Sequence, residues 1–85
     1  MKELDTVRVQ HLHEANRSYF GSDEVKRAPE IGDVGAIVDV LGAGVRFTVE
    51  CVDAAGSIVW VADFDAAEIA LISRESGEAT KWPGE

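Results

Sequence analysis

His11 and His13 stand two apart, so on an extended chain both rings project to one side, with Glu14 beside them. Imidazole nitrogens and a carboxylate are metal donors, but a closed zinc site needs more of them than this short segment offers. With two histidines and one cysteine in the whole chain, the expected role of this pair is a solvated rim, and neither a metal nor any other cofactor is expected. Asp63, Asp65 and Glu68 bring three carboxylates close together in sequence, which is oxygen chemistry suited to a hard cation. They lack the Asp-x-Asp-x-Asp-Gly series of a calcium loop, so capping a helical turn and complementing its dipole is the simpler role for Asp65 and Glu68. Cys51 sits among strand-forming apolar residues with no base indicated near it, which describes a buried, unactivated thiol. Gly42-Ala43-Gly44 has neither the following lysine nor the strand-to-helix setting of a phosphate loop. None of these groupings assembles a nucleophile with its base, and the chain is not expected to be an enzyme.

The elements that position these residues repeat with a period of two. Val45, Phe47, Val49 and Cys51 share one face of a strand whose other face carries Arg46, Thr48 and Glu50. Asp33 to Leu41 precedes it, with Val34, Ala36, Val38 and Val40 on one side and Asp39 on the other, and Gly42-Ala43-Gly44 closes a hairpin. Asp53-Ala54-Ala55-Gly56 makes a second turn into Ser57 to Phe64, rich in β-branched and aromatic residues. Asp65 to Glu68 reads as one helical turn, Ile69 to Ile72 as a short last strand, and Thr6 to Leu12 as the first. Residues 13 to 30 form a long polar loop, with a short helical turn expected at Asp23 to Arg27 and an extended exit at Ala28-Pro29. The expected fold is mostly β: a small, strongly bent, five-stranded antiparallel barrel of the SH3-like kind. Its first loop is long and a helical turn precedes its last strand. Residues 1 to 72 make its single domain, and residues 73 to 85 a flexible tail.

Composition agrees with one small globular unit of 85 residues, 46% apolar and 28% charged. The apolar run Ile58 to Ala62 is far short of the roughly 20 residues that span a bilayer. The opening residues hold no apolar signal core, so a cytoplasmic protein with no membrane partner is expected. The net charge of −8 is unevenly spread: residues 1 to 30 hold five bases against six acids, and residues 31 to 85 hold three against ten. Nucleic-acid binding draws on Lys and Arg displacing counterions from phosphate, so a polyanion is disfavoured and a basic protein partner suits this surface.

One strand is apolar on both faces. Ile58, Trp60, Ala62 and Phe64 alternate with Val59 and Val61, whereas a barrel strand needs only one buried side. Either the long loop folds over the second face through Tyr19 and Phe20, or that face meets a partner or a second copy. The candidate binding residues are therefore Tyr19, Phe20, Glu50, Val59, Val61, Asp63, Asp65 and Glu68. The resulting reading is a non-catalytic acidic protein-binding module, monomeric or weakly dimeric, of the kind that inhibits a basic protein as an antitoxin does. The alternative is an RNA-binding barrel that uses Arg8, Arg17, Lys26 and Arg27 with Tyr19 and Phe20 as stacking platforms.

Leu4-Asp5-Thr6-Val7, Gly32-Asp33-Val34-Gly35-Ala36-Ile37-Val38 and Val49-Glu50-Cys51-Val52-Asp53 with Gly56 beyond together resemble DUF4926, a small bacterial family of unknown function. The likeness runs from about residue 3 to residue 72 and implies a barrel without implying an activity. The loop from His13 to Glu30 is longer than in that pattern, and Cys51 replaces an aromatic. Gly32-Asp33-Val34-Gly35 is also similar to the KOW-type turn of ribosomal and elongation-factor barrels. A structural role accounts for it: glycines for a tight strand entry, and Asp33 bonding nearby amides.

Overall fold

In the computed structural model, which describes residues 1–74, five strands follow one another: β1 (Thr6–Val9), β2 (Val34–Leu41), β3 (Arg46–Val52), β4 (Ile58–Asp65) and β5 (Ile69–Ser73). A single 3-10 turn, Ala66–Glu68, separates β4 from β5. All pairings are antiparallel and build one open sheet in the order β4-β3-β2-β1-β5, so β4 and β5 are its edges. β2, β3 and β4 form the expected meander, and the last strand returns to pair with the first. Ser73 closes β5, so the strand runs one residue into the segment expected as a tail, of which residues 75–85 lie outside the described residues. No helix among the described residues is long and apolar enough to cross a membrane.

Alternation places Val7 and Val9 of β1, Phe47, Val49 and Cys51 of β3, and Trp60, Ala62 and Phe64 of β4 in one core, which Ile69 of β5 completes. Val45 is not part of it. Its amide bonds back to Leu41 and Gly42 within the hairpin turn, and its side chain is exposed.

The expected face of β2 is inverted by a bulge. The register with β3 slips between Ile37 and Asp39, so Val38 is an inserted residue. Ile37 therefore points inward and is fully buried, Val40 rejoins the core three positions on, and Val34 and Val38 are exposed. A second slip, between Cys51 and Val52, makes Val59 the extra residue on β4.

The motif at the start of β2 has a packing explanation. Gly32 adopts φ +99°, open to glycine at little cost. Gly35 is fixed by contact instead: a Cβ there would lie 2.5 Å from the Glu50 carbonyl oxygen and 2.9 Å from Val49 Cγ1.

Candidate functional site

The long connection between β1 and β2 crosses the β4 edge of the sheet and is pinned there at three places. The first pin is Glu68, fully buried at the corner between β4 and β5. Its Oε2 accepts the His13 N–H at 2.7 Å and an N–H of the Arg17 guanidinium, while Oε1 accepts the Asp65 N–H at 2.8 Å. The Arg17 side chain is itself only 5% exposed, and its guanidinium carbon stands 4.3 Å from the centroid of the Phe64 ring. Burial pushes the Glu68 carboxyl up, but the three hydrogen bonds and the Arg17 charge outweigh it and hold the acid below its ordinary range.

The second pin is Asp33, which ties the C-terminal end of the loop to β4. Arg27 donates to its two oxygens at 2.8 and 3.0 Å, the Glu30 N–H at 2.9 Å, and the Trp60 indole N–H at 2.8 Å. The bond to Trp60 satisfies the one polar atom of the largest core side chain. Burial again opposes ionisation and is again overcome, chiefly by Arg27, so the Asp33 carboxyl lies below its ordinary 3.8.

The third pin is main chain on main chain. Phe20 and Val61 exchange hydrogen bonds of 3.2 and 2.8 Å as an isolated antiparallel bridge, and the Ser22 and Arg27 amides donate to the Ile58 and Val59 carbonyls. Gly21 permits this approach, since a Cβ there would lie 2.6 Å from the Val59 oxygen and 2.9 Å from that of Ile58. The turn expected at Asp23 to Arg27 is present as one hydrogen-bonded turn, with the Val25 and Lys26 amides, three and four residues on, both donating to the Ser22 carbonyl.

Between this strap and the outward face of β3 and β4 lies a cleft of about 430 Å³ lined by Glu14, Asn16, Arg17, Ser18, Tyr19, Phe20, Arg46, Thr48, Val61, Ala62 and Asp63. Arg46 spans its floor, bonding Asp65 at 2.6 Å and Glu14 at 3.2 Å, and Thr48 donates to Asp63 at 2.6 Å. Its mouth carries the exposed rings of Tyr19 and Phe20, the latter 64% exposed. The arrangement offers aromatic surface beside carboxylates.

The expected binding set divides accordingly. Tyr19, Phe20, Val61 and Asp63 line the cleft, Asp65 borders it through Arg46, and Glu50 stands on the same outward face of β3, opposite Val61. Val59 and Glu68 have to be withdrawn as contact residues. Val59 is 8% exposed because the bulge turns it into the core, and Glu68 spends both oxygens inside the protein. The loop does cover β4, but with its main chain, leaving the Tyr19 and Phe20 rings outside. Among the bases of the alternative reading, Arg17 is buried on Glu68, Arg27 is held by Asp33 and Lys26 lies 3.5 Å from Asp23, while Arg8 is exposed. Cys51 is buried, and burial pushes its thiol up. His11 and His13 stack, with ring centroids 5.8 Å apart.

Glu14, Asn16, Ser18, Arg46 and Thr48 complete the cleft without having been expected there. Arg46 and Thr48 were legible as neighbours on one face of β3, but the loop residues had no signal in the sequence to place them.

Comparison with protein-family models, with curated proteins and with solved structures gives no match for this chain. The resemblance to DUF4926 rests on its motifs alone.

The depressed carboxyls of half-buried Asp33 and buried Glu68 predict acid sensitivity. Because their folded pKa values are depressed, the stability they contribute is complete above their ordinary values of 3.8 and 4.5 and is lost as pH falls through the folded values. Urea midpoints measured from pH 7 to pH 3 should stay level down to about pH 5 as far as these two groups contribute, then drop. Asp33→Asn should lower the midpoint at pH 7 and reduce the drop. An unchanged acid profile in that variant would remove Asp33 from the explanation.

Proposed function

We propose that this chain is a non-catalytic binding module of SH3-like architecture, acting in the cytoplasm, that recognises a basic protein through the cleft between the strap and β3–β4. The observation that carries the reading is the pair of exposed rings, Tyr19 and Phe20, held over a pocket bordered by Glu14, Asp63 and Asp65. Large apolar rings are seldom left at the surface beside a concave wall unless something covers them. Arg46 is shared by Glu14 and Asp65, so the field that steers a cationic partner comes from the excess of acids over bases across the chain, net charge −8. The return of β5 to pair with β1, after a meander and a short 3-10 turn, supports the SH3-like reading of the open sheet, and the motif resemblance to DUF4926 is consistent with it. An inhibitor or antitoxin-type role against a basic bacterial protein fits the same surface. The RNA-binding alternative is weakened because three of its four bases are already paired with acids.

The test is capture of partners from the source cell, followed by binding measurements on the purified pair. Phe20→Ser should leave the melting temperature unchanged yet cost about 2 kcal/mol of binding, roughly thirtyfold in affinity. Asp63→Lys should mainly slow association and flatten its dependence on salt. A captured RNA whose micromolar binding weakens steeply with salt, or a basic partner indifferent to Phe20→Ser, would sink the proposal.

A further inference from the structure

We propose that the free edge of β5 is a pairing surface for a second copy of this chain, which adds to it as an antiparallel strand. β5 has a strand beside it on one side only, β1, whereas the other edge of the sheet, β4, is occupied by the strap through Phe20, Ser22 and Arg27. The register shows which main-chain groups of β5 are left over. Val9 gives its N–H to the Asp33 carbonyl and receives the Gly32 N–H, both at 2.8 Å, so it has neither group turned toward Ile69, its opposite residue on β5. Antiparallel pairs alternate between exchanging both bonds and exchanging neither. Ile69 and, two residues on, Leu71 therefore turn their main-chain groups away from β1. The Ile69 N–H returns to the Ala66 carbonyl. The Ile69 carbonyl and both groups of Leu71 make no hydrogen bond among the described residues.

Charge and side-chain size select a second copy as the occupant. β2, β3 and β4 each carry acids, Asp39, Glu50, Asp63 and Asp65, but β1 is Thr-Val-Arg-Val and β5 is Ile-Ala-Leu-Ile-Ser, with no acid in either. On a chain of net charge −8, this is the flank along which two copies repel each other least. Edge strands that stay unpaired are commonly guarded by Lys or Pro, and β5 has neither. Antiparallel pairing centred on Leu71 gives each Leu71 N–H the carbonyl of the other copy's Leu71. It also sets Ala70 against Ile72, small against large and both apolar, and Ile72 is 44% exposed in the single chain.

The same geometry limits the strength of the contact. The register slip between Thr6 and Val7 makes Ile72 a bulged residue, which shortens the straight part of the edge. A five-residue strand joined by two central hydrogen bonds lies at the small end of specific interfaces, so the dissociation constant is on the order of 0.1 mM. Association stops at two copies, because each β5 is used up by the other and the strap covers β4 from Ile58 to Val61. The surface lies at the opposite edge of the sheet from the strap and its cleft, so a dimer leaves Tyr19 and Phe20 open.

The experiment is sedimentation equilibrium of the full chain from about 10 µM to about 1 mM, with amide exchange measured at both ends of that range. The average mass should rise from that of one chain toward that of two. Ile72→Lys, which puts a charge on the exposed edge, should hold it at one chain, with the melting temperature of the dilute protein within a few degrees of the parent. Phe20→Ser, on the cleft, should leave the association as it is. In the unaltered protein, the Leu71 amide should exchange about fivefold more slowly in the concentrated sample, and that of Val49, inside the ladder, should not change. This last reading needs no variant, so it decides the matter even where Ile72→Lys unfolds the chain. The mass of one chain throughout, or association that survives Ile72→Lys, overturns the proposal. So does association lost in Phe20→Ser, which would place the contact at the cleft. A Leu71 amide already slow in the dilute sample overturns it as well, since the chain would then cover its own edge.

Discussion

Phe47→Ala should cost about 3 to 5 kcal/mol and leave little or no cooperative melt at ordinary temperatures. The ring is 2% exposed and lies at the centre of the sheet, opposite Val40 on β2 and Phe64 on β4. Its removal leaves a cavity that rigid neighbouring strands cannot close, so the transfer loss and the cavity loss add. A chain of this length has a total stability of roughly 4 to 13 kcal/mol, so the substitution takes a large share of it. Calorimetry should show the melting temperature lowered by more than about 12 °C. Phe47→Leu, which keeps most of the volume, should cost under about 1.5 kcal/mol and acts as the control. An alanine variant that melts within a few degrees of the parent would mean that the inward face of β3 has been misassigned.

Glu68→Ala should cost about as much, for an electrostatic reason. The side chains of Glu68 and Arg17 are 0% and 5% exposed, so removing the acid strands a guanidinium away from water with its main acceptor gone. It also frees the His13 and Asp65 amides, which lose the carboxylate that receives them. Breaking one side of a buried pair costs about 3 to 5 kcal/mol, whereas replacing both partners with apolar residues of similar size is often close to neutral. The double variant Arg17→Met/Glu68→Leu should therefore recover much of the stability lost in Glu68→Ala. A denaturant cycle over the two single variants and the double one measures this directly. Additive losses would show that the two side chains are energetically independent and that the strap is held elsewhere.

What was legible in the residues is what local physics controls. Strand alternation in Phe47-Thr48-Val49-Glu50-Cys51, the turn residues Gly42-Ala43-Gly44 and Asp53 to Gly56, and the helical turn before Ile69 all depend on neighbours within a few positions. For the same reason the five strands, their order along the chain and most of the core follow from the sequence alone. The net charge of −8 is likewise a property of composition. The inversion of β2 was not accessible: whether Val38 is an inserted residue depends on how β3 aligns beside it, and alternation alone cannot show where a ladder slips.

The course of the loop was not accessible either. The segment from residue 10 to 33 is polar and aperiodic, and its path is decided by partners far away in the chain. Arg17 meets Glu68 across 51 residues and Asp33 meets Trp60 across 27. Those meetings turn a loop into a strap that leaves Phe20 outward. Buried charges and indole N–H groups must find partners once the core excludes water, and the partner each one finds is determined by which surfaces the folded sheet brings together.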